Sequence, residues 1–169
     1  MISGDHKAGK MLLAAAAGAL AVRAVARRRR RFDFQGASVV ITGGSRGLGL
    51  ELARLFAAEG SRLTLLARSE EELARARHDL VGRGAEVLVL PCDVRDRGQV
   101  DRAVRAVMQA YGRLDVLVNN AGVIQMGPFE NMDREDFEQA MAVHAWGPLH
   151  LIRAALPHLQ KRGGRIVNI

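Results

Sequence analysis

The 169-residue chain is poor in several residue types that often carry chemistry. It has one cysteine, one tyrosine, one tryptophan and four prolines, and its three lysines are Lys7, Lys10 and Lys161. A lone cysteine, Cys92, makes neither an internal disulfide nor a cysteine-based metal site, and it fits a reducing compartment. No metal site is expected. Aromatic residues make up 4% of the chain, too few for base-stacking platforms, and no nucleic-acid motif is present, so no nucleic-acid partner is expected. Excess charge is also missing from most of the chain. Of the net +7, the surplus sits before residue 32, where Lys7, Lys10, Arg23 and Arg27 to Arg31 face one acid, Asp5. The remainder carries seventeen basic and seventeen acidic residues, so a neutral body follows a basic appendage.

What is present is apolar surface in plenty: 49% of residues are hydrophobic, enough for one domain with a sizeable core. Residues 1–35 stand apart. Their apolar run from Met11 to Val22 within "MLLAAAAGALAVRAVA" is followed by "RRRRR", and it is shorter than the roughly 20 residues that cross a bilayer unaided. Lys7, Lys10 and the "AVA" at Ala24 to Ala26 resemble parts of a cleavable export signal, but the arginine block after the run argues for retention of the body in the cytoplasm. Three readings stay open: a weak uncleaved anchor holding residues 11–31 on the cytoplasmic face of a membrane, a solvated helix with a basic end, or an arginine-rich targeting segment.

From Ala37 onward, short apolar runs alternate with helical periodicity. "SVVIT" (Ser38 to Thr42), "RLTLLA" (Arg62 to Ala67), "AEVLVLP" (Ala85 to Pro91), "LDVLVN" (Leu114 to Asn119) and "RIVNI" (Arg165 to Ile169) are expected strands. The first helix follows Gly49, with Leu48, Leu52, Leu55 and Phe56 on one face and Gly60 at its end. The second opens at "SEEE", where Ser69 caps and Glu72 reaches back to complete a capping box. The third runs from about Gln99 to Tyr111 and closes at Gly112. The fourth, about Arg134 to Arg162, is interrupted by Gly147, Pro148 and Pro157. Strands that are continuous apolar runs are buried on both faces, and strict alternation of strand and helix implies a doubly wound α/β fold with a parallel sheet over residues 36–169.

"VVITGGSRGLGLELAR" places a glycine-rich turn directly between a strand and a helix, which aims backbone N–H groups and the helix N-terminus at a phosphate-bearing ligand. Its glycines at Gly43, Gly47 and Gly49 form a TGxxxGxG pattern, distinct from GxGxxG and from a P-loop. "CDV" ends the third strand, "NNAG" (Asn119 to Gly122) ends the fourth, and "GRIVNI" forms the fifth. Together, in this order and spacing, these segments resemble the short-chain dehydrogenase/reductase family over about Phe34 to Ile169.

By that resemblance, Thr42, Gly43, Ser45, Arg46, Gly47, Leu48 and Gly49 hold the pyrophosphate and ribose of a nicotinamide dinucleotide. Asp93 and Val94 flank its adenine, and Asn120, Ala121 and Gly122 support the cofactor and the central sheet. Asn119 reads equally as a structural link between strands, and Asp93 as a turn residue. The second strand ends in Ala67 and Arg68, without the acid that binds both ribose hydroxyls in NAD-preferring sites. Arg46 and Arg68 suit a 2′-phosphate, so NADP(H) is expected over NAD(H).

The family's reaction moves hydride between nicotinamide and a carbonyl or secondary alcohol of a small substrate, with a tyrosine as proton donor, a lysine four residues later, a serine and an asparagine. Here the residue four after Tyr111 is Asp115, and no lysine follows a tyrosine at that spacing. The catalytic set is incomplete. The chain is expected to be the cofactor-binding part, stopping just before the serine, without turnover alone and forming homo-oligomers only when complete. A non-catalytic nucleotide-binding or regulatory module is the alternative. Within "VHAWGPLH", His144 stands where the family has asparagine, and it reads either as a packed histidine or as a holder of the same relay water. Trp146 and Met126 read either as lining the cofactor or substrate side or, more simply, as ordinary packing residues.

Overall fold

The computed structural model describes residues 32–124 and 126–169. The chain divides into two units, Met1–Asp33 and Phe34–Ile169, and the expectations for the first thirty-one residues lie outside the described residues. Among the described residues no helix is long and apolar enough to cross a membrane.

The second unit alternates as its sequence pattern predicts: β1 (Ser38–Thr42), α1 (Gly47–Ala58), β2 (Arg62–Ala67), α2 (Glu70–Gly82), β3 (Val87–Pro91), α3 (Arg97–Tyr111), β4 (Val116–Asn119), α4 (Arg134–Met141), α5 (Gly147–Gln160) and β5 (Arg165–Asn168). The five strands form one parallel sheet in the order β3-β2-β1-β4-β5. Strand order reverses between β1 and β4, and in an open α/β sheet that switch point opens a crevice at the carboxyl ends of the strands.

β1 and β4 are buried along their whole length and β2 along its centre, because helices cover both faces there. β3 and β5 depart from the expected burial on both faces. β3 is half-buried, and every residue of β5 is exposed. Each has one strand neighbour among the described residues, so each is an edge strand. The main core lies between the sheet and helices α3 and α5, where Val100, Val104 and Val107 meet Leu117, Leu151 and Leu159.

Two helices differ in detail from the expectation. On α1 the buried positions are Gly49 and Ala53, whereas Leu48 and Leu55 are exposed. At Gly49 the glycine loop leaves no room for a side chain. The long fourth helix departs from regular α geometry near the expected Gly147 and Pro148 without breaking: residues Ala142–Trp146 form a π turn joining α4 to α5. Pro148 then occupies the first turn of α5, where a missing N–H is harmless. Pro157, expected to interrupt the helix, does not: it lies within α5 on the same exposed face as Arg153, whose carbonyl it leaves without an intrahelical donor.

Candidate functional site

The C-terminal end of β1 is tied to the end of β4 by side chains. The Thr42 hydroxyl accepts from the backbone N–H of Asn120 and of Ala121, both at 2.9 Å, and Asn120 Nδ2 donates to the carbonyls of Thr42 (3.0 Å) and Gly43 (3.2 Å). Both edges of the crevice are thereby fixed against each other. Asn119 Nδ2 donates to Asn168 Oδ1 at 2.8 Å, linking β4 to β5 as the structural reading had it.

The glycine loop then turns into α1. Gly43 (φ +63°) and Gly47 (φ +55°) hold left-handed backbone that other residues rarely adopt. Gly49 is required for a different reason: a Cβ there would lie 2.2 Å from the Gly43 carbonyl oxygen and 2.6 Å from Asn120 Nδ2. The N-terminus of α1 has no side-chain cap and no acid in its first turn. Its N–H groups are therefore left to a ligand or to water, in the field of a helix dipole that favours an anion.

Above these elements lies a cleft of about 810 Å³, within the ~300–1,000 Å³ usual for small-ligand sites. It gathers Gly43, Ser45, Arg46, Gly47, Leu48, Arg68, Asp93, Val94, Asn120, Ala121, Gly122 and His144 from five separate segments. Two expected residues, Thr42 and Gly49, are not on its surface; both are buried and support the loop from behind. Ser69, Glu72, Cys92 and Arg95 also line it and were not anticipated as site residues.

Glu72 departs from its expected role. Ser69 accepts from the Glu72 N–H at 3.2 Å, but the reciprocal half of the capping box is not made. The Glu72 carboxylate turns instead to the glycine loop, accepting from Ser45 Oγ at 2.8 Å and lying 3.6 Å from Arg46 Nε. Asp93 is held by Arg95 through both carboxylate oxygens. These side-chain hydrogen bonds keep the Asp93 carboxyl below its ordinary range, against the opposing effect of burial, with smaller help from the Arg68 charge. Burial pushes the Cys92 thiol up to about 11, so it stays protonated and is no nucleophile at neutral pH.

His144 sits on the π turn, a distortion that often marks functional positions in helices. Its Nε2 is 2.9 Å from the Val123 carbonyl oxygen, and its Cε1 would lie 3.0 Å from a Cβ on Gly122, so the ring packs flush on the "NNAG" turn. The same Nε2 lies 3.2 Å from the Val123 N–H, so it either accepts from that N–H or donates to the carbonyl, according to the tautomer. On α5, His150 Nδ1 lies 3.1 Å from the Val94 carbonyl and steadies the end of β3. Trp146 and Met126 are exposed rather than packed, and neither lines the cleft.

Tyr111 is remote from this chemistry. Its hydroxyl donates to the Leu63 carbonyl at 3.0 Å, near the start of β2 and thus at the opposite end of the sheet from the cleft. Burial raises it to about 12, and Arg62 lies over its ring at 5.3 Å.

A parallel sheet, a ligand-sized cleft at its switch point and an uncapped helix N-terminus define an open, doubly wound α/β protein. The chain belongs to the short-chain dehydrogenase family, whose model matches residues 37–169. It is 35% identical over 142 residues to a fatty acyl-CoA reductase of Acinetobacter baylyi, covering 82% of this chain and 48% of that protein. It is 40% identical over 133 residues to the oxidoreductase UcpA of Salmonella typhimurium, covering 78% and 50%. Among solved structures, a short-chain dehydrogenase/reductase from Burkholderia phymatum in complex with NAD matches with a TM-score of 0.78 at 34% identity, over 82% of this chain and 50% of that one. A metagenomic short-chain oxidoreductase in complex with NADP matches with a TM-score of 0.75 at 34% identity, over 81% and 63%. The chain thus spans about half the length of the curated relatives it matches.

Proposed function

We propose that the chain is the cofactor-binding part of an NADP(H)-dependent short-chain oxidoreductase acting on a carbonyl or secondary alcohol. The observation that carries this reading is the uncapped α1 N-terminus beneath Gly43, Gly47 and Gly49, with Ser45, Arg46 and Arg68 grouped at one end of the same cleft. A dinucleotide fits that donor set. The N–H groups at the start of α1 would hold the pyrophosphate, and the crowding at Gly49 keeps the loop against that helix end. Asp93 and Val94 would flank the adenine, and Asn120, Ala121 and Gly122, which line the same cleft, would support the cofactor. Bound there, the nicotinamide supplies or accepts hydride, while the protein's part is to orient it and exclude water.

No acid stands at the end of β2, where Ala67 and Arg68 lie, and this favours the 2′-phosphate over a bare ribose. His144 lines the cleft with its Nε2 against the Val123 backbone, and it would be either a packed residue there or the holder of a relay water. Tyr111 is committed to the far end of the sheet, so the proton donor of the reaction is not that residue.

The discriminating variant is Arg68→Asp. It removes a cation from the phosphate end and puts a carboxylate where NAD-preferring sites have one. NADPH affinity is expected to fall by roughly tenfold or more, while NADH affinity is unchanged or improves. Titration by protein-to-cofactor fluorescence transfer reads both, and equal effects on the two cofactors would refute the preference.

A further inference from the structure

Arg46, one of the two arginines suited to a 2′-phosphate, and its neighbour Ser45 are held by a carboxylate of the chain itself. Glu72 Oε2 accepts from the buried Ser45 hydroxyl at 2.8 Å and sits 3.6 Å from Arg46 Nε. That single oxygen lies where the two donors converge. The Arg46 side chain is 81% exposed while Glu72 is 28% exposed, so the acid is the better-fixed member of the pair. Glu72 also lines the cleft beside Arg68 and Ser69.

We propose that Glu72 is a specificity-determining residue that competes with the cofactor's 2′-phosphate for Ser45 and Arg46 and so tempers the preference for NADP(H). The inference rests on the reading that the cleft takes a nicotinamide dinucleotide with its adenosine end at Arg68. A phosphate and a carboxylate are both acceptors of negative charge, and one set of donors does not serve both. Glu72 either leaves, giving up its hydrogen bond and ion pair, or stays and repels the phosphate. A ribose 2′-hydroxyl meets no such conflict, because it donates to a carboxylate. Glu72 therefore supplies, from the first turn of α2, part of the discrimination that an acid at the end of β2 supplies elsewhere. Its contact with the loop spans twenty-seven residues of sequence, which is why the helix-capping explanation hid it.

The test uses the whole 169-residue chain and two probes that differ only in the phosphate, 2′,5′-ADP and 5′-AMP, titrated calorimetrically. Glu72→Gln is expected to tighten 2′,5′-ADP by roughly fivefold, the scale of a part-exposed ion pair, and to change 5′-AMP by less than about twofold. Glu72→Ala should move the ratio of affinities the same way, and it keeps the Ser69 cap, which uses the backbone N–H of residue 72. An unchanged ratio in both variants, or parallel weakening of both probes with a lowered melting temperature, overturns the proposal and leaves Glu72 structural. The wild-type ratio reports separately on the underlying reading. Wild-type preference for 2′,5′-ADP with no shift in the variants sinks only the role of Glu72. A preference that emerges only in the variants supports that role while refuting the NADP(H) assignment for the natural chain.

Discussion

Gly49→Ala is expected to weaken dinucleotide binding by roughly a hundredfold and to destabilise the fold by about 2–3 kcal/mol. The added methyl carbon would start 2.2 Å from the Gly43 carbonyl oxygen and 2.9 Å from the Gly43 carbonyl carbon. These are backbone atoms, with no flexible side chain to move aside, so the loop or the helix has to retreat by about 1 Å to reach ordinary contact distance. Movement of Gly43 also disturbs the Asn120 hydrogen bonds to the Thr42 and Gly43 carbonyls, and with them the pairing of the two crevice edges. Gly82→Ala is the control: nothing lies within 4 Å of its Cβ position, and in the last turn of α2 it is expected to leave binding unchanged and stability within about 1 kcal/mol of wild type. Chemical denaturation and cofactor titration of the two variants separate local crowding from a general intolerance of the fold to alanine.

The second large effect falls far from the cleft. Asp115 is buried and accepts from the Ser38 N–H at 2.8 Å and from the Arg113 guanidinium. Its own N–H donates to the Ser38 carbonyl, and its carbonyl accepts from Arg165 N–H, so one residue joins the starts of β1, β4 and β5. Asp115→Ala leaves a buried N–H and a guanidinium without their partner and is expected to cost about 3 kcal/mol. Burial alone would raise the Asp115 carboxyl, but the hydrogen bonds from Arg113 and Ser38, aided by charge, outweigh it and hold it below its ordinary value. A carboxyl depressed in the folded state contributes stability above its unfolded value, near pH 4, and loses it as pH falls through the lower folded value. The stability gap between wild type and Asp115→Asn is therefore expected to be widest near neutral pH and to narrow below about pH 4. A gap constant with pH would contradict the assignment.

These two residues mark what was legible in the sequence and what was not. Gly49 stood out because a glycine between a strand and a helix, in a TGxxxGxG spacing, has a mechanical reason visible in one dimension. The strands and helices were legible for the same reason, since apolar runs and helical periods are local. Asp115 carried no such mark: its partner Ser38 is seventy-seven residues away, and only the folded sheet brings them together. Glu72 was misread because an acid at the third position of a helix already has a local explanation. Leu48 and Leu55 were placed inward on apolarity, yet the buried positions of α1 are Gly49 and Ala53, the first where the glycine loop leaves no room for a side chain. A break near Gly147 was expected, but the helical run continues there. A π turn at Ala142–Trp146 leaves no signature beyond the glycine that follows it, whose own Cβ would lie 2.8 Å from Val94 Cγ2. The ordering of the cleft residues was legible. Their electrostatic partners, Arg95 for Asp93 and Glu72 for Ser45, were not, because pairing of side chains depends on which rotamers the closed cleft permits.

The central claim is that this cleft receives a nicotinamide dinucleotide whose phosphates sit on the α1 N-terminus. Calorimetric titration of the folded 169-residue chain with NADP⁺ and NAD⁺ tests it most directly. One dinucleotide should bind per chain, NADP⁺ several-fold more tightly than NAD⁺, and Gly49→Ala should weaken both by roughly a hundredfold at cofactor concentrations up to about 1 mM. Absence of binding by folded wild-type chain in that range, or binding that Gly49→Ala leaves intact, would contradict the account.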